Sequence, residues 1–164
     1  MGNYAGQILA RWQASVYSAN CSPLEFFELV QNLVAKKELP DVSFSQIVRR
    51  EGGWFSPRRR YLRIRYRRLF FDVSAFVVGS SLIISWWLQE DSPGIGDVLS
   101  EIPGFGLMLE KTTRAATYYA VDFVEFFQGA IHDSILRAVD ELSEENGLGI
   151  LPDEARQPVW EEIW

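Results

Sequence analysis

From Tyr61 to Leu88 the chain carries a pattern that suits strands. Residues 61–67, Tyr-Leu-Arg-Ile-Arg-Tyr-Arg, alternate strictly. Leu62, Ile64 and Tyr66 therefore share one face, and Tyr61, Arg63, Arg65 and Arg67 the other. Residues 70–78 and 82–88 are β-branched and aromatic runs split by Gly79-Ser80-Ser81, which reads as a hairpin. Upstream, Val42-Ser43-Phe44-Ser45 also alternates, and Gly52-Gly53 and Ser56-Pro57 punctuate the chain as turns. These signals predict a three- or four-stranded antiparallel meander with one buried face and one solvated, arginine-bearing face.

Segment 69–88 has a second reading. It holds a single charge, Asp72, and follows seven arginines, the profile of a membrane span with a positive flank. Asp72 inside the bilayer, Gly79-Ser80-Ser81 at mid-span and the alternation carried over from 61–67 all favour the hairpin.

Helices are expected on both sides of the meander. Ile8, Leu9, Trp12, Val16 and Tyr17 stand at helical spacing and predict a short amphipathic helix over 7–18. Ser22-Pro23-Leu24-Glu25 supplies a capping hydroxyl, a proline at the first helical position and the glutamate of a capping box. Phe26, Leu29, Val30 and Leu33 then form a stripe, widened by Phe27 and Val34, and Pro40 forbids continuation. The longest helix is expected over about 115–145, with Ala120, Val124, Phe127, Ile131, Ile135, Ala138 and Leu142 on its apolar face. Asn146-Gly147 stops it. Between sheet and helix, 91–113 is rich in Gly and Pro yet apolar, with a short helix expected near 96–101 and an apolar loop over 95–109. The expected fold is therefore α+β: N-terminal helices, an antiparallel meander, an apolar loop and a long C-terminal helix packed on the sheet. One domain is expected over 1–147, with 148–164 as an acidic, aromatic tail.

The order helix, antiparallel meander, loop, helix is similar to that of ubiquitin-conjugating domains. No cysteine follows the sheet and no His-Pro-Asn precedes one, so the residues that would carry that activity are absent.

Charge is distributed unevenly. Nine of the sixteen cationic residues lie between Arg49 and Arg68, all arginine, against the one acid Glu51. That window is +8 in a chain of net charge −6, which leaves −14 for the remainder. Such asymmetry asks for an anionic partner or an internal complement. The internal candidates are the acidic face of the long helix and the acidic tail. Arginine suits either role, because its planar fork matches carboxylates.

Catalytic chemistry finds no constellation. His132 is the only histidine and falls near the polar side of the long helix beside Asp133, but adjacent helical residues do not face each other. Cys21 precedes a helix N-terminus, where a thiol is more acidic, yet no base stands beside it. Asp140, Glu141, Glu144 and Glu145 cluster at a helix end with no group opposite. Gly94, Gly96, Gly104 and Gly106 flank apolar residues, and no Lys-Ser/Thr follows them. Nothing calls for a metal or a cofactor. With one cysteine, no intramolecular disulfide can form, and the start of the sequence lacks a secretory pattern, so a reducing cytoplasm is the expected compartment.

The expected role is a non-catalytic interaction component that engages another protein. The candidate contact residues are Arg58, Arg60, Tyr61, Arg63, Arg65 and Arg67 of the arginine strand. Ile102, Phe105 and Leu107 of the apolar loop join them, with Trp160 and Trp164 of the tail. An association with anionic membrane, peripheral or integral, is the runner-up, and an enzyme without a recognisable motif is third. Nucleic acid ranks behind protein because the pI is near 4.9. No motif specifies a small molecule.

Overall fold

The computed structural model describes residues 7–17, 20–50, 56–91 and 113–161, with 113–120 as helix backbone. The meander is four strands long: β2 (Val42–Arg50), β3 (Arg58–Tyr66), β4 (Leu69–Val78) and β5 (Ser81–Glu90), each antiparallel to the next. Two-residue turns set the register. Gly79 takes φ +59° between β4 and β5, and Arg67 takes φ +52° between β3 and β4. A left-handed residue at this point matches the twist of the flanking strands, and glycine adopts it without a Cβ penalty. Segment 69–88 is thus a hairpin, as its alternation predicts. No helix among the described residues is long and apolar enough to cross a membrane.

The expected helix over 7–18 is instead a strand, β1 (Gln7–Tyr17), which pairs antiparallel with β5. Trp12 and Val16 are buried at period two, but a register shift between Ile8 and Ala10 puts Leu9 and Ala10 both in the core. That bulge inserts one residue and breaks the alternation. The resulting spacing of Leu9, Trp12 and Val16 imitates a helical stripe. A last short strand, β6 (Val159–Trp160), adds to β1, giving the sheet order β2-β3-β4-β5-β1-β6.

Helix α1 (Pro23–Ala35) opens on the anticipated capping box. The Ser22 hydroxyl accepts from the Glu25 amide at 3.3 Å, and the Glu25 carboxylate accepts from the Ser22 amide at 2.7 Å. It buries Phe26, Phe27, Val30, Leu33 and Val34. Helix α2 (Thr113–Glu145) buries Val124, Phe127, Ile131, Ile135, Ala138 and Leu142, the expected stripe as far as its side chains are described. It crosses the sheet obliquely. Phe127 meets Tyr66 of β3 and Phe71 of β4, and one turn later His132 meets Trp86 of β5 and Trp12 of β1. Lys37, just past the end of α1, reaches Asp133 of α2 at 2.6 Å and ties the helices together.

The α+β class is as expected; among the described residues the sheet has six strands, four of them the expected meander, and one helix rather than two precedes it. The segment expected as a tail is docked. After Gly147, in the left-handed conformation at φ +67°, the chain turns back and forms a 3-10 turn, Asp153–Arg156, ahead of β6. The Trp12 indole donates to the Ala155 carbonyl at 2.7 Å, and Arg156 grips Asp140 through two 2.8 Å hydrogen bonds.

Candidate functional site: the second face of the sheet

The helices cover the face that carries Leu62, Ile64, Phe71, Val73, Ile84 and Trp86. Strand register lays out the opposite face as rows of side chains. One row runs Arg63, Asp72, Trp87, Arg11 across β3, β4, β5 and β1, and the next runs Tyr61, Ser74, Ser85, Gln13. This face was expected to be solvated. On β3 and β4 much of it is not: Tyr61, Phe70, Asp72 and Ser74 are buried, with Asp72 at 2% exposure, while Arg11 and Gln13 on β1 are exposed.

A carboxylate that deeply buried must be paired, and Asp72 is paired several times over. Arg63 binds it in a fork, Nε to Oδ1 at 2.7 Å and Nη2 to Oδ2 at 2.8 Å. Arg49 of β2 brings Nη2 to 3.2 Å from Oδ2, and Gln89 donates to the same oxygen at 3.4 Å. The Arg63 guanidinium also lies over the Phe70 ring, 4.1 Å from its centroid, where the ring face attracts a cation. Arg65 pairs with Asp91 at 2.5 Å, Arg59 lies over Phe76, and Arg67 over Tyr66. Asp72, Phe70 and Phe76, which hold these arginines, lie in the sheet itself, and Asp91 directly follows β5.

A different set remains outward. Arg50, Arg58 and Arg60 are exposed at the end of the β2–β3 hairpin, next to Val48, which is 54% exposed. Arg49 stands directly opposite Arg59, and Arg50 opposite Arg58. Arg49 is held by Asp72 and Arg59 by the Phe76 ring, which offsets the like charge between these two. Among the candidate contact residues, Arg58 and Arg60 are thus at the surface. Tyr61 is buried, Arg63 is half-buried on Asp72, and Arg65 and Arg67 are half-buried against partners. Trp160 sits in β6, 39% exposed. Ile102, Phe105, Leu107 and Trp164, together with the loop over 95–109 and the short helix near 96–101, lie outside the described residues.

Among the described residues, two hollows open on this face. One, of about 180 Å3, is lined by Ile8, Arg49, Tyr61, Asp72, Trp87 and Gln89. The other, of about 300 Å3, lies between Arg11, Gln13, Ser85 and Trp87 and the docked segment Glu154–Val159. Trp87 is a wall of both. The Tyr61 hydroxyl, on a face expected from sequence to be solvated, is buried without a hydrogen-bond partner among the described residues.

His132 is buried, not on the polar side of its helix, because the docked C-terminal segment covers it. Its Nδ1 accepts from the Trp86 indole at 3.1 Å and its Nε2 faces the Arg156 carbonyl at 2.7 Å, which assigns the proton to Nε2 and the neutral form. Burial holds its pKa below the ordinary value. The Cys21 thiol is pushed above its ordinary value, by burial first and then by Glu25 and Glu145, the reverse of an activated nucleophile. No group of three or more His, Cys, Asp or Glu that could hold a metal occurs among the described residues.

No protein-family model matches the chain, and none of the curated proteins is recognisably similar in sequence. The crystal structure of TTHA0849 from Thermus thermophilus is similar over 83% of this chain and 98% of that one, at 17% identity and a TM-score of 0.26. So loose a superposition leaves the reading of the site to this chain's own residues.

Proposed function

We propose that the protein is a non-catalytic interaction domain, a component of a larger assembly, that docks an acidic segment of another protein on the end of its β2–β3 hairpin. The observation that supports this is the pair of opposed arginine couples, Arg49 with Arg59 and Arg50 with Arg58, beside exposed Arg60 and Val48. A fold that needed only internal pairing has no use for Arg58 and Arg60, which make no ion pair among the described residues. An anionic partner would meet Arg58 and Arg60, whose charges pair with no acid among the described residues. β2 is also the outermost strand of the described sheet, so an extended acidic segment can pair with its backbone while its carboxylates meet the arginines.

A labelled acidic peptide tests the reading by fluorescence polarisation. Binding should weaken steeply with salt, and Arg58→Glu with Arg60→Glu should abolish it while leaving the melting temperature nearly unchanged. Binding that survives the double charge reversal would refute the assignment. Preference for anionic vesicles over any acidic peptide would move the surface to a membrane.

A further inference from the structure

We infer that the hollow of about 300 Å3 between β5, β1 and the docked C-terminal segment is a binding site for a single sugar ring, an uncharged pyranose. Strand register places its walls. Trp87, Arg11 and Val159 stand side by side across β5, β1 and β6, and Gln13 lies in the next row, opposite Ser85. Glu154 and Gln157 of the returning segment complete the lining. That segment is fixed against β1. The Trp12 indole donates to the Ala155 carbonyl at 2.7 Å, and the Glu161 amide donates to the Leu9 carbonyl at 3.0 Å. The hollow is thus built half by the sheet and half by the C-terminal segment, at the opposite edge of the described sheet from the β2–β3 hairpin.

Charge excludes two ligand classes. Of the described residues that line the hollow, Arg11 and Glu154 bear one charge of each sign. Arg11 is already held by Glu161, Nε to Oε1 at 3.2 Å, which weakens its pull on an anion. Glu154 is exposed at the rim, where solvent screens its pull on a cation. The remaining polar groups are neutral. Gln13 and Gln157 each carry an amide with two donors and an acceptor. A ligand hydroxyl answers both halves of an amide, because it donates to the oxygen and accepts from the nitrogen. Several hydroxyls on one neutral molecule therefore match this rim.

The apolar part of the lining selects the ring. Trp87 is half-buried and Val159 is exposed, one on each side of Arg11. An indole offers a large, rigid apolar surface. A pyranose has an apolar face of C–H groups and a rim of hydroxyls, so its face rests on Trp87 while its rim meets Gln13 and Gln157. Size agrees. A cavity of about 150 Å3 takes up benzene, and a hexopyranose has twice as many heavy atoms. No bond is made or broken. Because the ligand touches both the sheet and the C-terminal segment, its binding stabilises the docked position of that segment.

The probes are the methyl glycosides of glucose, galactose and mannose, together with N-acetylglucosamine. Benzoate and benzylamine serve as anionic and cationic controls. Titration is followed through the assigned Trp87 indole resonance in proton–nitrogen correlation spectra. At least one sugar should shift it saturably, and neither charged ring should do so over the same concentrations. Gln13→Ala and Gln157→Ala should each weaken the best sugar about fivefold, the loss expected for one neutral hydrogen bond. Both side chains are exposed, so the two variants should melt like the wild type and the lost affinity reports on the hollow. Saturating sugar should also slow hydrogen exchange at the Glu161 amide. Four results would overturn the site: no saturable shift with any of the sugars, benzoate or benzylamine binding as tightly as the best of them, unchanged affinity in both glutamine variants, or unchanged exchange at Glu161.

Discussion

The Trp86 indole, on the central strand β5, donates to Nδ1 of His132, on helix α2, across the middle of the core at 3.1 Å. The opposite ring nitrogen of His132 faces the Arg156 carbonyl at 2.7 Å, so one neutral imidazole bridges sheet, helix and C-terminal segment.

That bridge makes stability depend on pH in one direction. Burial is the main reason the His132 pKa lies below its ordinary value; the Arg156 charge adds to it, while the hydrogen bond to the Arg156 carbonyl and Asp133 oppose it. The unfolded chain takes up the proton near pH ~6.5 and the folded chain only at lower pH. Between those values the unfolded state binds more protons, so stability falls as pH falls through this window. Protonated Nδ1 would also meet the Trp86 donor with a second donor. Urea denaturation at about pH 7.5 and about pH 5 should show the loss in the wild type, and His132→Gln should flatten it. Equal pH slopes in the two proteins would rule the bridge out as the cause.

Asp72 and Arg63 should behave as a buried pair. Asp72→Ala removes the carboxylate that Arg63 and Arg49 share and should cost about 3–5 kcal/mol in urea unfolding. Replacing both partners, Asp72→Leu with Arg63→Met, should recover much of that, because neither charge of the fork is then left alone. Arg49 still loses its contact, so recovery should stop short of the wild type. A double variant less stable than Asp72→Ala would contradict this account.

Gly79 isolates a backbone effect. Nothing stands within 4 Å of where its Cβ would be, so a side chain has room, yet φ is +59°. Gly79→Ala should therefore lower stability by about 1–2 kcal/mol through conformation alone. Gly79→Asn should cost less, since asparagine tolerates this region. Comparable melting temperatures for glycine and alanine would show that the turn relaxes instead.

Where the sequence is legible, local periodicity and tertiary burial agree. Strands β3 to β5, the capped helix α1 and the stripe of α2 all follow patterns written within a few residues of one another. β1 reads as a helix because the bulge at Leu9 converts a two-residue period into something close to a helical one. The pairing of Arg63 with Asp72 is recoverable in principle. Once Arg67 and Arg68 form a two-residue turn, Tyr66 faces Leu69 and Arg63 must face Asp72. Periodicity alone leaves Asp72 as no more than an argument against a membrane span. The burial of His132 has no local signal. It depends on a segment that returns to the sheet late in the chain, where Trp12 and Ala155 meet across 143 positions.

The place of β1 bears on how the protein is made. Of the six strands it is synthesised first, and both of its neighbours come later, β5 more than sixty residues on and β6 after the long helix. A nascent chain therefore carries Leu9, Trp12 and Val16 with no sheet to receive them until the meander has left the ribosome. During that interval they form an unpaired apolar segment of the kind that chaperones hold, and slow elongation between β1 and β5 would lengthen its exposure.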